Sequence, residues 1–138
     1  MNSALLAVDI GNTAIKAGWF DGPGPTRGVL PEPRSTSESP TQDGAPSLPE
    51  HWPLDTAPWF VTSVNRPAFE KLVAWRTRRG RRSPLRQVDF RDIALRLDVD
   101  FPERVGLDRL ATAVAADWLR EPQRPAVVVD AGTALKVH

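Results

Sequence analysis

The sequence predicts an α/β fold, a mixed sheet flanked by helices, and three observations point to it. Residues 4–9 and 14–20 are two runs of β-formers separated by Ile10 to Thr13, the pattern of a hairpin. Residues 59–64, Trp59-Phe60-Val61-Thr62-Ser63-Val64, form a third run that leads straight into a helical pattern. Two turns of the same make, Asp9-Ile10-Gly11-Asn12-Thr13 and Asp130-Ala131-Gly132-Thr133, each follow an apolar β-run.

The elements follow in order. Ala4-Leu5-Leu6-Ala7-Val8-Asp9 is a buried strand, and Gly11-Asn12 are natural turn formers leading to its partner, Ala14 to Phe20. Asp21-Gly22-Pro23-Gly24-Pro25 closes that strand, and Gly28-Val29-Leu30 is expected as a short third strand at the sheet edge. Residues 31–58 are rich in Pro and Ser with little periodicity, and are expected to be a disordered insertion, with a short helix over 47–52 as the one local alternative. After the strand at 59–64, Asn65 is placed as an N-cap and Pro67 in the first turn of a helix. That helix is expected to run to Arg79, to bury Phe69, Leu72, Val73 and Trp75, and to end at Gly80. A weak strand is expected over 85–90. Leu107, Leu110, Val114 and Trp118 are spaced three, four and four, one face of a second helix, which Arg120 and Pro122 end. Residues 126–130 are the last strand, and the chain is expected to be cut off as a second hairpin begins.

Composition narrows the function classes. The 138 residues are 41% hydrophobic and 25% charged, as in globular domains, and the net charge of +1 offers no global field for nucleic acid or membrane. With no cysteine, disulfides, thiolate metal sites and cysteine nucleophiles are excluded. No apolar run approaches the ~20 residues of a membrane span, and no signal peptide is read at the start. The arginine run from Arg76 to Arg82 lacks interleaved aromatic residues and reads as a solvated helix end. His51 and His138 have no partner at metal-like spacing.

The two turns carry the chemistry. A strand ending in a carboxylate, then a glycine and a hydroxyl, suits the phosphates and metal of a nucleotide. Glycine admits close approach and unusual dihedrals, successive N–H groups form an anion site, and the carboxylate can hold Mg²⁺ directly or through water. Two such turns suggest two jaws on one triphosphate. Lys16 either reaches the phosphates or snorkels along the sheet. Asp108 either serves as a base or only complements its helix dipole, and Arg109 either pairs a substrate carboxylate or a surface acid. Asp130 has the alternative of a strand-end turn former, as does Asn12.

Three ordered segments resemble the type III pantothenate kinases, members of the actin-like ATPase superfamily. Asp9-Ile10-Gly11-Asn12-Thr13-Ala14-Ile15-Lys16 is similar to that family's Asp-x-Gly-Asn-Thr-x-x-Lys, Gly106-Leu107-Asp108-Arg109 to its Gly-x-Asp-Arg, and Asp130-Ala131-Gly132-Thr133-Ala134 to its Asp-x-Gly-Thr-Ala. The resemblance implies a ribonuclease-H-like domain over 1–138, the N-terminal half of a two-domain kinase whose second domain is absent here. It implies ATP-dependent phosphorylation of pantothenate, the first step towards coenzyme A, in the cytoplasm, by a homodimer using Mg²⁺ and a monovalent cation, K⁺ or NH₄⁺. Segment 9–16 would bind phosphate, with Asp9 holding Mg²⁺ through water. Gly106, Leu107, Asp108 and Arg109 would bind pantothenate, with Asp108 as catalytic base. Asp130 would hold the monovalent cation, and Gly132 and Thr133 would contact ATP. The chain departs from the family where Lys136 and His138 stand in place of a threonine and an aspartate. Without its second domain, the chain is expected to be inactive. Two other readings stay open: a non-catalytic regulatory protein on the same fold, such as a transcriptional accessory factor, and a sugar kinase or phosphatase of the same superfamily.

Overall fold

The computed structural model describes residues 4–43, 45–131 and 135–137. The chain divides into two compact units, Met1–Pro23 with Pro31–Val88, and Gly24–Leu30 with Asp89–His138.

The first unit is a five-stranded mixed sheet with one long helix. Its strands are β1 (Leu5–Ile10), β2 (Ala14–Phe20), β3 (Ser35–Pro40), β4 (Trp59–Ser63) and β5 (Leu85–Gln87), in the spatial order β3-β2-β1-β4-β5. β1 pairs antiparallel with β2 and parallel with β4, and β5 adds in parallel beyond β4. The β4–β5 connection carries α1 (Arg66–Arg78), because a parallel return needs a crossover that a tight turn cannot supply. This is the α/β class the strand and helix patterns predict.

The period of two in β1 sets the core. Leu6, Val8 and Ile10 are buried, with Ile15 and Ala17 of β2, Trp59 and Val61 of β4, and Ala68 and Leu72 of α1. Leu5, Ala7 and Asp9 take the other face. Asn65 caps α1 as expected, its side-chain oxygen accepting from the Ala68 N–H at 3.1 Å, and Gly80 follows the helix at φ +64°. The buried stripe is Ala68, Leu72 and Arg76, four residues apart, with Phe69 and Trp75 packed at its flanks. Val73, expected in the core, is 39% exposed. Of the four residues expected in the core only Val73 falls outside it, and the buried stripe is completed by Arg76. Its guanidinium stacks 4.7 Å from the Trp59 ring and donates to Ser83, so the buried cation keeps both a π-face and hydrogen bonds.

Residues 31–58, expected as a disordered insertion, are built into this unit. β3 pairs antiparallel with β2 from Ser35↔Trp19 to Pro40↔Ala14. Beyond it, Trp52, Leu54 and Ala57 enter the core, and the Leu54 carbonyl accepts from the Trp59 indole at 3.1 Å and the Ser83 hydroxyl at 2.9 Å. Ser-Thr-Ser-Glu-Ser-Pro has no strand-forming composition of its own; the open edge of β2 supplies the hydrogen-bonding template, and an edge strand tolerates polar residues and a terminal proline. No helix forms over 47–52 among the described residues. The expected strand at 28–30 is an isolated Thr26–Val29 bridge in the second unit, where the Gly28 N–H donates to the Trp118 carbonyl at 2.8 Å. The weak strand over 85–90 ends at Gln87, and a 3-10 turn at Phe90–Asp92 follows, capped by Asp89.

In the second unit α2 (Leu107–Leu119) ends at Arg120 as expected, and Leu110 is its buried residue. Asp117 joins it to residue 27, accepting from Arg120 at 2.7 Å and Arg27 at 3.3 Å. The hydrogen bond from Arg120 and, less strongly, that from Arg27 hold the Asp117 carboxyl below the usual aspartate range. β6 (Val129–Ala131) pairs antiparallel with β7 (Leu135–Val137), and of the second acidic turn Asp130 and Ala131 belong to β6.

Candidate functional site

The first turn is built by the β1–β2 hairpin. The Gly11 N–H donates to the Ala14 carbonyl at 2.9 Å and closes it. Thr41, just after β3, braces it from outside: its hydroxyl donates to the Gly11 carbonyl at 2.9 Å and its N–H to the Thr13 carbonyl at 3.0 Å. Gly11 contributes space here rather than a left-handed dihedral. Its φ is not positive, while a Cβ at this position would lie 3.1 Å from the Ala14 carbonyl oxygen. Asn12 and Thr13 stand exposed at the tip, and among the described residues their N–H groups donate to nothing. The N–H donors left uncommitted at this turn are therefore those of Asn12 and Thr13, since that of Gly11 is already used. Ile15 is core and Ala14 is half-buried, so neither side chain joins the exposed tip.

Sheet register extends the site sideways. Asp9 lies opposite Lys16 on β2 and beside Thr62 on β4, and Lys16 lies opposite Glu38 on β3. Cross-strand partners share a face, so Glu38, Lys16, Asp9 and Thr62 form one polar row across four strands, on the face away from Val8 and Ile10. Asp9 is half-buried, and its Oδ1 accepts from the Thr62 hydroxyl at 2.8 Å. Lys16 is exposed, and among the described residues no ion pair joins it to Asp9 or Glu38. A carboxylate with one oxygen engaged and one open, next to an uncommitted ammonium and two uncommitted N–H groups, matches what a metal–polyphosphate needs. A single hard oxygen donor suits Mg²⁺, which takes one or two carboxylates plus phosphates and water. No cluster of three or more His, Cys, Asp or Glu among the described residues offers an all-protein metal cage.

The second unit holds the other motif. Gly106 is the N-cap of α2, and its carbonyl accepts from the N–H groups of Arg109 at 3.0 Å and Leu110 at 3.1 Å. Asp108 folds its carboxylate back onto the same helix end, Oδ1 accepting from the Arg109 N–H at 2.9 Å. A Cβ on Gly106 would lie 2.5 Å from that oxygen, so glycine is what lets the carboxylate sit there. In this state Asp108 complements its own helix terminus, with its backbone carbonyl taken by Thr112 at 2.8 Å. Leu107 is half-buried and Arg109 exposed. Further along α2, a shallow cavity of about 240 Å³ opens beside Asp117 and Arg120, and none of the residues expected at the site lines it.

Asp9, Ile10 and Lys16 thus belong to the first unit, and Gly106, Asp108, Arg109 and Asp130 to the second. Asp130 has its backbone in β6, while Gly132 and Thr133 lie outside the described residues. Thr62, Glu38 and Thr41 were not among the expected site residues. Thr62 becomes a neighbour of Asp9 only through the parallel β1–β4 pairing, which no short stretch of the sequence announces. Thr41 and Glu38 lay in the stretch expected to be disordered.

The arginine run is partly absorbed by packing. Arg76 is buried, with its basicity lowered by burial and by nearby Arg81, against the opposing pull of Asp55. Arg79 and Arg81 lie 5.1 and 5.7 Å from the Trp75 ring, and Arg81 pairs with Asp55 at 2.8 Å. His51 is exposed and meets the edge of Trp19.

Known proteins agree with the motifs. A type III pantothenate kinase of Rhodopirellula baltica is 45% identical over 78 residues, covering 56% of this chain. The matched stretch spans 28% of that relative's length. The family model for type III pantothenate kinase matches residues 5–138. With that match spanning both acidic turns and the Gly-Leu-Asp-Arg helix start, the chain belongs to the type III pantothenate kinase family.

Proposed function

We propose that this chain carries the phosphate-binding turn and the base of an ATP-dependent pantothenate kinase. The observation that carries the reading is the open carboxylate oxygen of Asp9 beside the uncommitted donors of Asn12, Thr13 and Lys16. Family membership selects pantothenate over a sugar.

In this reading Asn12 and Thr13 donate N–H groups to the phosphates, Lys16 neutralises charge on them, and Asp9 holds Mg²⁺ through water. Mg²⁺, when bound, offsets the charge of the polyphosphate. Asp108 takes the proton of the pantothenate primary hydroxyl as that oxygen attacks the γ-phosphorus and the bond to the β–γ bridging oxygen breaks, releasing ADP. Arg109 pairs the pantothenate carboxylate, for which its planar fork is suited. Asp130 holds the monovalent cation and Thr133 contacts ATP. The working protein is a cytoplasmic homodimer. No helix among the described residues is long and apolar enough to cross a membrane.

The test uses the protein expressed from its complete reading frame. Asp108→Asn should abolish pantothenate-dependent ADP release while ADP binding persists, and Asp9→Asn should weaken Mg²⁺-dependent nucleotide binding. Turnover undiminished in Asp108→Asn would remove that residue from the mechanism.

A further inference from the structure

The polar row across the sheet has a feature that its charges alone do not explain. Asp9 and Lys16 are direct cross-strand partners of opposite charge, yet no ion pair joins them. The Asp9 carboxylate is turned the other way, with Oδ1 on the Thr62 hydroxyl at 2.8 Å. We propose that Thr62 is a positioning residue for the metal–nucleotide site: its hydroxyl selects the Asp9 rotamer that stays off Lys16.

The reasoning is steric and electrostatic. Thr62 sits on β4, the parallel neighbour of β1, in direct register with Asp9. A β-branched side chain in a strand has few χ1 wells, so its hydroxyl is a stiff donor. The same hydroxyl also lies 3.5 Å from the Val8 carbonyl, which limits where it can swing. With one Asp9 oxygen held on the β4 side, the other stays open, and the Lys16 ammonium stays open on the β2 side. Without the hydroxyl, Asp9 would turn to its cross-strand partner Lys16 and the two charges would satisfy each other. A metal would lose its carboxylate and a phosphate its ammonium. Hydrogen bonds that orient a ligating carboxylate commonly matter about 10–100-fold in metal affinity.

The inference rests on the nucleotide reading above, and its test separates the two. Binding of ADP to the protein from its complete reading frame is measured by calorimetry with Mg²⁺ and with EDTA, for wild type, Thr62→Val and Thr62→Ser. Thr62→Val keeps shape and strand preference; if it does not fold, Thr62→Ala takes its place. The expected result is an Mg²⁺-dependent gain in ADP affinity that shrinks about 10–100-fold in Thr62→Val and returns in Thr62→Ser. A merely structural role would weaken binding equally with and without metal. An unchanged ratio in Thr62→Val overturns the positioning role while leaving the nucleotide site standing. No Mg²⁺-dependent ADP binding in wild type overturns the nucleotide site itself, and this inference with it.

Discussion

Gly106→Ala is the sharpest perturbation of the proposed base. The new methyl would stand 2.5 Å from Asp108 Oδ1, about 1 Å inside ordinary contact of about 3.5 Å. Asp108 can give way by rotating its side chain, so the strain falls on the carboxylate and not on the fold. The backbone at Gly106, φ −60° and ψ 136°, is open to alanine, and replacing glycine there stabilises by about 0.4–1 kcal/mol through the unfolded chain. Loss of the Asp108 contact with the helix end costs about 0.3–1 kcal/mol, so the two effects nearly cancel. A misplacement of about 1 Å at a reacting group is worth about 100-fold in rate. The expected outcome is a melting temperature within about 5 °C of wild type and a kcat down about 100-fold, with KM for ATP unchanged. The assay is pantothenate-dependent ADP release by the protein from its complete reading frame, beside a thermal melt. Wild-type turnover in a folded Gly106→Ala protein would refute the argument that the position of this carboxylate sets the rate.

Two further predictions concern the fold. Leu72→Ala should destabilise by about 2–5 kcal/mol, whereas Val73→Ala, on the exposed side of α1, should stay within about 0.5 kcal/mol, and denaturant titration of both variants checks the helix phase. Asp117 has a lowered folded-state pKa because Arg120 and Arg27 donate to it. Its stabilising contribution is therefore complete above the ordinary aspartate value of about 4 and fades as pH falls through the lower folded value. Asp117→Asn should lose that contribution at pH 7, and its stability should fall less than that of wild type on acidification, as read from urea midpoints across pH 2–7.

Local chemistry was enough for much of this molecule. The β1–β2 hairpin with its acidic turn, the Asn65 cap and the two helices are written in short stretches, because dihedral preference, capping and side-chain period act over a few residues. The Asp108 helix start was legible for the same reason. The sheet order and its register were not, and the site depends on them. Nothing near Asp9 in the chain names Thr62, and nothing near Lys16 names Glu38; pairing across β4 and β3 brings them alongside. Residues 35–40 became a strand only because β2 had an open edge to offer, a property of the assembled sheet and not of Ser-Thr-Ser-Glu-Ser-Pro itself. Arg76 likewise reads as a surface cation until Trp59 and Ser83 close around it. Sequence by itself determined which groups carry charge and where the chain turns, since those are covalent and short-range facts. Only the tertiary structure decided which of those groups face one another, because hydrogen bonding and burial between distant segments exist only once the sheet has formed.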